Sequence, residues 1–227
     1  MPYHIGLEDI EPDHWVAWVF TLPGCFAAST TADAATACVP AAIAARLDHL
    51  STRGRARERD ADVTISVVDT FHSFISTGDY VVNAFFADDR RPIALDEVDD
   101  ALWVLDESRH DLLATVGRLS PMQRSEPIAG EARGSIDGIL EHIAWTEWWY
   151  FDRLGLAFAR EMMATDPVAK LEQVREQTQA HLPVLVRKDC VVELSGEQWS
   201  ARKVLRRTLW HERDHVNHLA RLIGGEG

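Results

Sequence analysis

The sequence predicts an α+β protein of two domains, in which a small β-sheet with one helix precedes a bundle of four helices. Short stretches of β-branched and aromatic residues in the first part of the chain are typical of strands. Downstream of Pro92 the apolar residues recur about every 3.6 positions almost to the end, which is the period of an amphipathic helix. The length of 227 residues also fits two domains. We therefore expect one domain at residues 1–94 and another at residues 95–227.

The first domain is predicted to begin with a β-hairpin. Residues 3–7 and 14–20 have the composition of strands, and the turn-forming sequence Glu-Pro-Asp lies between them at residues 11–13. The Pro-Gly turn within residues 22–26 then leads to a short third strand.

A single helix is expected after these strands, over residues 33–50, with Thr30 or Thr31 as its N-cap. The charged run at residues 51–62 has few apolar side chains and indicates a solvated connector. Two more strands are predicted beyond it, at residues 63–68 and 80–86, with a turn at Gly78 and Asp79.

Four amphipathic helices are predicted in the second domain, at residues 96–119, 135–156, 167–183 and 200–223. Asp166 before Pro167 is a typical helix start, and Ser200 is a suitable N-cap for the last helix. A short extended piece is expected at residues 190–194. Because no amphipathic helix can bury its apolar face alone, the simplest arrangement is a four-helix bundle.

The composition excludes several classes of partner. A formal net charge of −13, from 23 basic and 36 acidic residues, repels phosphate backbones, so nucleic acid is not an expected partner. No run of 18 uncharged apolar residues is present, which predicts no membrane segment. The N-terminus lacks the basic start and apolar core of a secretory signal. We expect a cytoplasmic protein.

Three cysteines, Cys25, Cys38 and Cys190, form an odd set without CxxC spacing. This pattern argues against a disulfide framework and against a zinc ribbon. We expect the three thiols to be reduced and buried.

Histidines in two of the predicted helices indicate a metal site. His211 and His215 are four residues apart, so both imidazoles can reach one ion from the same helix face. His142 lies on the predicted inward side of the second helix and could supply a third imidazole. Three neutral imidazoles leave an open coordination position, as in catalytic zinc sites. Spacing alone also fits ordinary histidines, and it leaves a second chelating pair open, His215 with His218.

A resemblance to a known family supports the first of these pairs. The sequence from Gly134 to His142, and the one from Gly196 to Leu205 that leads into His211 and His215, resemble the DinB-like superfamily, which includes the YfiT-type thiol transferases. The resemblance covers about residues 95–224 and implies a four-helix bundle that binds a divalent metal ion. By position, it implies His142, His211 and His215 as the ligands.

The resemblance also implies a function. It suggests a divalent-metal-dependent transferase that conjugates a low-molecular-weight thiol to an electrophile, and bundles of this type often form homodimers. Zinc or nickel is the expected ion, although imidazoles also suit iron and copper. The family usually continues with a sequence close to Arg-Gly-Gln, whereas this chain has Val216, Asn217 and His218. This departure weakens the inference about the substrate.

The first domain resembles the HicB-like fold. The resemblance rests on residues 14–26 and on the Thr-Thr-Ala-Asp-Ala-Ala sequence at residues 30–35, and it covers about residues 1–50. It implies a small sheet with a helix packed on it. An alternative function follows, in which the protein is a non-catalytic, metal-stabilised stress or regulatory protein whose HicB-like unit binds a protein partner.

Other side chains near the histidines are candidates for supporting roles. Three glutamates could accept hydrogen bonds from the imidazole N–H groups, and three tryptophans could line a pocket or form plain core. These residues are Glu141, Glu147 and Glu212, and Trp145, Trp148 and Trp149.

Overall fold

The computed structural model describes residues 2–52, 54–55 and 63–224. It confirms the mixed α+β class, with six α-helices and eight strands in these residues. The chain divides into two compact units, unit 1 with residues 1–91 and 193–199, and unit 2 with residues 92–192 and 200–227. Most of the connector predicted at residues 51–62 lies outside the described residues.

Unit 1 contains a four-stranded sheet. Its strands have the order β3-β2-β1-β4, where β1 is Tyr3–Glu11, β2 is His14–Val19, β3 is Phe26–Ser29 and β4 is Ile65–His72. Strands β1 and β2 form the predicted antiparallel hairpin, and β3 continues it on the other side of β2. Strand β4 runs parallel to β1, which requires a crossover between β3 and β4.

Helix α1, Ala32–Thr52, provides this crossover. Thr31 caps it, because the Thr31 hydroxyl accepts the backbone N–H of Ala34 at 3.2 Å. The buried side chains of α1 recur every three or four residues and face the sheet: Ala35, Val39, Ile43, Leu47 and Leu50. The predicted helix and its cap are therefore confirmed.

The second pair of predicted strands differs from the structure in extent. The strand predicted at residues 63–68 is β4, which begins at Ile65 and extends to His72. The strand predicted at residues 80–86 is only β6, Val81–Val82, because its partner β5 has just two residues, Phe74–Ile75. Beyond it the chain turns into a 3₁₀ helix, where the Asp89 carboxylate accepts the backbone N–H of Phe86 at 2.9 Å.

Residues 193–199 belong to unit 1 in the structure, although the sequence places them in the second domain. Glu197 explains this grouping. Its fully buried carboxylate accepts the backbone N–H of Asn83 at 3.2 Å and the hydroxyl of Tyr80. A buried carboxylate needs such donors, so these contacts hold the segment to unit 1. Strand β7 is Val191–Leu194, as the extended piece was predicted, and β8 is Glu197–Ser200.

Unit 2 is helical. Its long helices are α2 (Leu95–Val116), α4 (Ile136–Asp152), α5 (Pro167–His181) and α6 (Ala201–Gly224). The four share one hydrophobic core, to which all of them contribute fully or nearly fully buried side chains: Leu112, Val116, Ile139, Leu140, Ile143, Leu171, Val174, Val216 and Leu219. A short helix that was not predicted, α3 (Pro121–Ser125), follows α2. None of the helices in the described residues is long and apolar enough to cross a membrane.

The predicted starts of three of these helices are confirmed. Ser135 accepts the backbone N–H of Gly138 at 3.1 Å at the start of α4. Asp166 accepts two backbone N–H groups of the first turn of α5, and Ser200 accepts that of Lys203 at 3.1 Å at the start of α6. The caps at Ser135 and Ser200 fix where α4 and α6 begin, and thereby how far along the helix axis each histidine lies.

Candidate metal centre

Three histidine side chains converge in unit 2. The Nε2 atom of His211 lies 3.1 Å from that of His142 and 3.2 Å from that of His215. The ligand atoms of the three residues all lie within 4.8 Å of one another. His142 comes from α4, and the other two come from successive turns of α6. The structure thus brings together the three histidines that the sequence singled out.

Local sequence explains how each imidazole reaches this point. On α6 the buried residues Val204, Thr208 and His211 lie on one stripe, so His211 is directed into the unit and only 7% exposed. His215 is one turn further along the same stripe. On α4, His142 precedes the buried Ile143 and Ala144 and is partly exposed. The cluster therefore lies where the buried core meets solvent.

The environment keeps the three imidazoles neutral. Burial, with a contribution from Arg133, lowers the pKa of His142 to about 4. Burial and the neighbouring His142, His218 and Arg133 lower the pKa of His215 to about 3. Burial and the other two imidazoles hold the pKa of His211 well below its ordinary value. At neutral pH each ring therefore has one nitrogen lone pair to donate.

Two of the three separations between the imidazoles fit a shared metal ion. Two nitrogens that each lie about 2.0–2.1 Å from one tetrahedral zinc ion are about 3.3 Å apart. The two shorter separations in the cluster, 3.1 and 3.2 Å, are close to this value. A ring nitrogen carries one proton or one lone pair, so at most one of these contacts can be a well-aligned hydrogen bond. A cation bound by three lone pairs would remove this conflict.

One of the three rings has a hydrogen-bond partner that fits metal binding. Thr146 Oγ1 lies 3.5 Å from His142 Nδ1, one helical turn along α4. With Nε2 directed at an ion, Nδ1 carries the proton and donates to this hydroxyl, which orients the ring. His215 Nδ1, in contrast, is buried without a hydrogen-bond partner in the described part of the chain.

His218 does not join the cluster. Its ring centre lies 6.2 Å from that of His215, and its Nε2 atom lies 3.2 Å from the carboxylate of Glu131. The two chelating pairs that spacing left open are thereby distinguished by position, since His211 and His215 face His142 and His218 faces the loop before α4.

The glutamates expected to support the histidines lie elsewhere. Glu147 and Glu212 are buried and pair with Arg109 and Arg175, at distances of 2.6 to 3.1 Å. Glu141 pairs with Lys170 at 2.5 Å. Closeness in sequence to the histidines does not bring these carboxylates to the cluster, because successive helix residues point in different directions and the three glutamates face other helices. In the described residues none of these three candidates is bonded to an imidazole of the cluster.

Burial raises the pKa of Glu147, but the guanidinium groups of Arg175 and Arg109 outweigh this and hold that pKa below its ordinary value. Sequence reasoning missed both arginines. A signal for them existed, since Arg109 lies on the apolar stripe of α2 between Leu105 and Leu112. A charge in such a position needs a buried partner.

The predicted tryptophans line an open cavity of about 360 Å³. Trp145, Trp148 and Trp149 form most of its wall, together with Thr146 and Arg160. The guanidinium of Arg160 lies 5.1 Å from the centre of the Trp145 ring. One of the lining residues, Thr146, is also a neighbour of the histidine cluster, with its Oγ1 atom 3.5 Å from His142 Nδ1. Both roles considered for these side chains are present, since all three line the cavity and Trp148 also packs against the hydrophobic core of unit 2.

The cysteines differ from expectation in part. Cys25 is buried, as expected, and burial raises the pKa of its thiol to about 12. Cys38 and Cys190 are exposed, since they lie on the outer side of α1 and just before β7. None of the three forms a disulfide in the described residues.

Comparisons of the chain with protein-family models, with curated proteins and with solved structures find no match. The interpretation of the histidine cluster consequently rests on its own geometry and on the resemblance in sequence.

Proposed function

We propose that unit 2 is a DinB-like bundle that binds a divalent metal ion, zinc or nickel, through His142, His211 and His215. The observation that carries this proposal is the convergence of ring nitrogens of three neutral imidazoles from two helices within 4.8 Å. Three protein ligands leave one coordination position for a water molecule or a substrate.

We further propose that the protein is a metal-dependent transferase for a low-molecular-weight thiol. A divalent ion held by His142, His211 and His215 would supply one chemical effect, the stabilisation of a thiol as its nucleophilic thiolate. In such a reaction the sulfur would form a carbon–sulfur bond with the electrophile, the leaving group would depart with its electron pair, and the thiol proton would pass to solvent. The cavity beside Thr146 is large enough for a small electrophile, and its tryptophan walls suit a flat apolar one.

The fold of unit 1 belongs to the same proposal. We propose that it is HicB-like, and the sheet order β3-β2-β1-β4 with α1 between β3 and β4 supports this. We also propose that the protein is cytoplasmic and forms a homodimer. The cytoplasmic location is supported by the three cysteines, which form no disulfide in the described residues.

Metal content tests the site. Protein purified without an affinity tag is analysed by plasma mass spectrometry, as wild type and as His142→Ala, His211→Ala, His215→Ala and His218→Ala. We expect near-stoichiometric metal in wild type and in His218→Ala, and loss in the other three. Negligible metal in all five would contradict the proposal. His218→Ala is the matched control, because His218 lies on the same helix outside the cluster.

Turnover tests the reaction. Metal-loaded and chelated protein are compared in the conjugation of a thiol to monochlorobimane, which loses chloride in the reaction. Acceleration that needs the metal and disappears in His211→Ala supports the transferase. Stoichiometric metal without turnover, together with a large loss of thermal stability on chelation, would instead favour a non-catalytic protein that the metal ion stabilises.

The second candidate is a metal-stabilised protein that binds a basic protein partner through unit 1. It is favoured by Phe74 and Ile75, which are 52% and 69% exposed and line a cavity of about 390 Å³. Acidic side chains line the same cavity: Asp9, Glu11 and Asp13. An apolar surface with an acidic rim suits a partner with apolar and basic side chains.

A further inference from the structure

An arginine side chain points at the histidine cluster. The Nη2 atom of Arg133 lies 3.4 Å from His142 Nε2, the atom that the proposed function assigns to the metal ion. Arg133 is an exposed residue of the loop before α4. Its guanidinium offers a planar set of N–H donors and a positive charge to any group beside the cluster.

The loop that carries Arg133 is held in place by α6. The Glu131 side chain, only 7% exposed, accepts the backbone N–H of Arg133 at 2.9 Å and lies 3.2 Å from His218 Nε2. Backbone hydrogen bonds close the loop, from Ile128 N to Gly134 O at 2.8 Å and from Gly134 N to Glu131 O at 3.0 Å. The position of Arg133 is therefore fixed by a hydrogen-bonded loop and by the buried carboxylate of Glu131.

A divalent ion at the three histidines changes what Arg133 can do. The His142 lone pair goes to the ion, so the guanidinium loses that acceptor. The two cations then repel each other at short range. An anionic group between them removes the repulsion, since one of its atoms can bind the ion and another can accept N–H groups from the guanidinium. The geometry therefore favours a negatively charged ligand at the open coordination position.

We propose that Arg133 determines the specificity of this position, by binding the anionic group of a small molecule that coordinates the metal ion. The substrate class is thus a metal-binding anion that also offers an acceptor atom to Arg133, which for the proposed thiol substrate means a thiolate with a carboxylate close to its sulfur. This inference rests on the proposed function, because it needs the metal ion. Glu131 and His218 act as positioning residues that hold the loop toward the cluster.

Azide is a suitable probe, because its two terminal nitrogens can meet the ion and the guanidinium. The protein is loaded with cobalt(II), whose visible absorption changes when the fourth ligand changes, and is titrated with azide. The variants are Arg133→Gln, Arg133→Lys and, as control, Arg118→Gln, which replaces an exposed arginine at the end of α2. Cobalt affinity without azide is measured in parallel by competition with a chelator.

We expect Arg133→Gln to bind azide about tenfold more weakly than wild type, which is the size of effect of one hydrogen bond to a charged group. Arg133→Lys should retain part of the azide affinity, because the lysine ammonium keeps a positive charge at this position. Arg118→Gln should bind azide as tightly as wild type. Without azide, Arg133→Gln should bind cobalt as tightly as wild type or more tightly, because a repelling charge is removed. Damage to the fold would weaken both affinities together.

Two results would overturn the inference while leaving the metal site intact. One is equal azide affinity in wild type and Arg133→Gln, and the other is a wild-type spectrum that azide does not change. Failure of wild type to bind cobalt at the histidines would overturn the proposed function and this inference with it.

Discussion

Gly6 in β1 lies where two aromatic rings leave no room for a side chain. A Cβ atom at this position would come within 2.6 Å of the Phe20 ring and 2.9 Å of the Phe86 ring. The two rings pack against each other with centres 5.3 Å apart, so neither moves alone. Phe86 is almost fully buried, which makes its displacement costly.

We predict that Gly6→Ala lowers the free energy of unfolding by about 1–3 kcal/mol, the usual cost of inserting a methyl group into a packed core. Urea unfolding measures it. Gly224→Ala is the control, since nothing lies within 4 Å of a Cβ atom built there. Equal midpoints for Gly6→Ala and wild type would show that the rings can shift at little cost.

At the level of helices, a buried charge network joins the four long helices of unit 2. Arg109 of α2, Glu147 of α4, Arg175 of α5 and Glu212 of α6 each contribute one side chain. Thr178 also donates its hydroxyl to Glu147 at 2.7 Å. Two positive and two negative groups compensate one another away from water, so the network fixes how the helices face each other.

Loss of one partner from this network should be strongly destabilising. We predict that Glu147→Gln costs about 3–5 kcal/mol of unfolding free energy, because it leaves an uncompensated positive charge in the interior. Asp111→Asn is the control, because its ion pair with Arg213 also joins two helices of unit 2 while both side chains are partly exposed, by 49% and 29%. It should cost less than about 1 kcal/mol. Similar costs for both variants would refute the importance of burial here.

The same network predicts a pH dependence. The pKa of Glu147 in the folded protein lies below its ordinary value of 4.5, so the unfolded chain takes up this proton more readily. The stability that Glu147 contributes is therefore present above about pH 4.5 and is lost as pH falls through the folded pKa. The stability difference between wild type and Glu147→Gln should accordingly shrink on acidification below this value. Urea titrations between pH 7 and pH 3 measure this difference in unfolding free energy. The contributions of the histidines to the pH dependence are the same in both proteins, so they cancel in the difference. A difference that stays constant to pH 3 would contradict the assigned direction.

The elements show which features the sequence could predict. Helix starts at Ser135, Asp166 and Ser200 were predictable, because a cap depends on a few adjacent residues. The short extent of β6 was not, because it is set by a partner strand of two residues. The pair His211 and His215 was visible as spacing on one helix. The position of Arg133 was not, since a loop without helical periodicity brings it to His142 from nine residues away.

At the scale of the whole molecule, the proposed ion should act on unit 2 alone. The three ligands belong to α4 and α6, and both helices lie in unit 2. An ion that binds only the folded arrangement stabilises it by mass action, by about 4 kcal/mol at a concentration a thousandfold above Kd. Such a gain appears as slower exchange of the backbone amides that α4 and α6 expose when they open.

We predict that zinc slows hydrogen exchange in α4 and α6 and leaves the β1–β2 hairpin of unit 1 unchanged. Hydrogen exchange followed by mass spectrometry resolves these segments, with chelated protein as reference. In His215→Ala the effect of zinc should disappear, whereas in His218→Ala it should persist, because only His215 faces the cluster. Equal slowing in both units would instead mean that zinc acts through general association of the protein. If zinc does not slow exchange in α6, the ion does not link α4 to α6, and the proposed metal centre is contradicted.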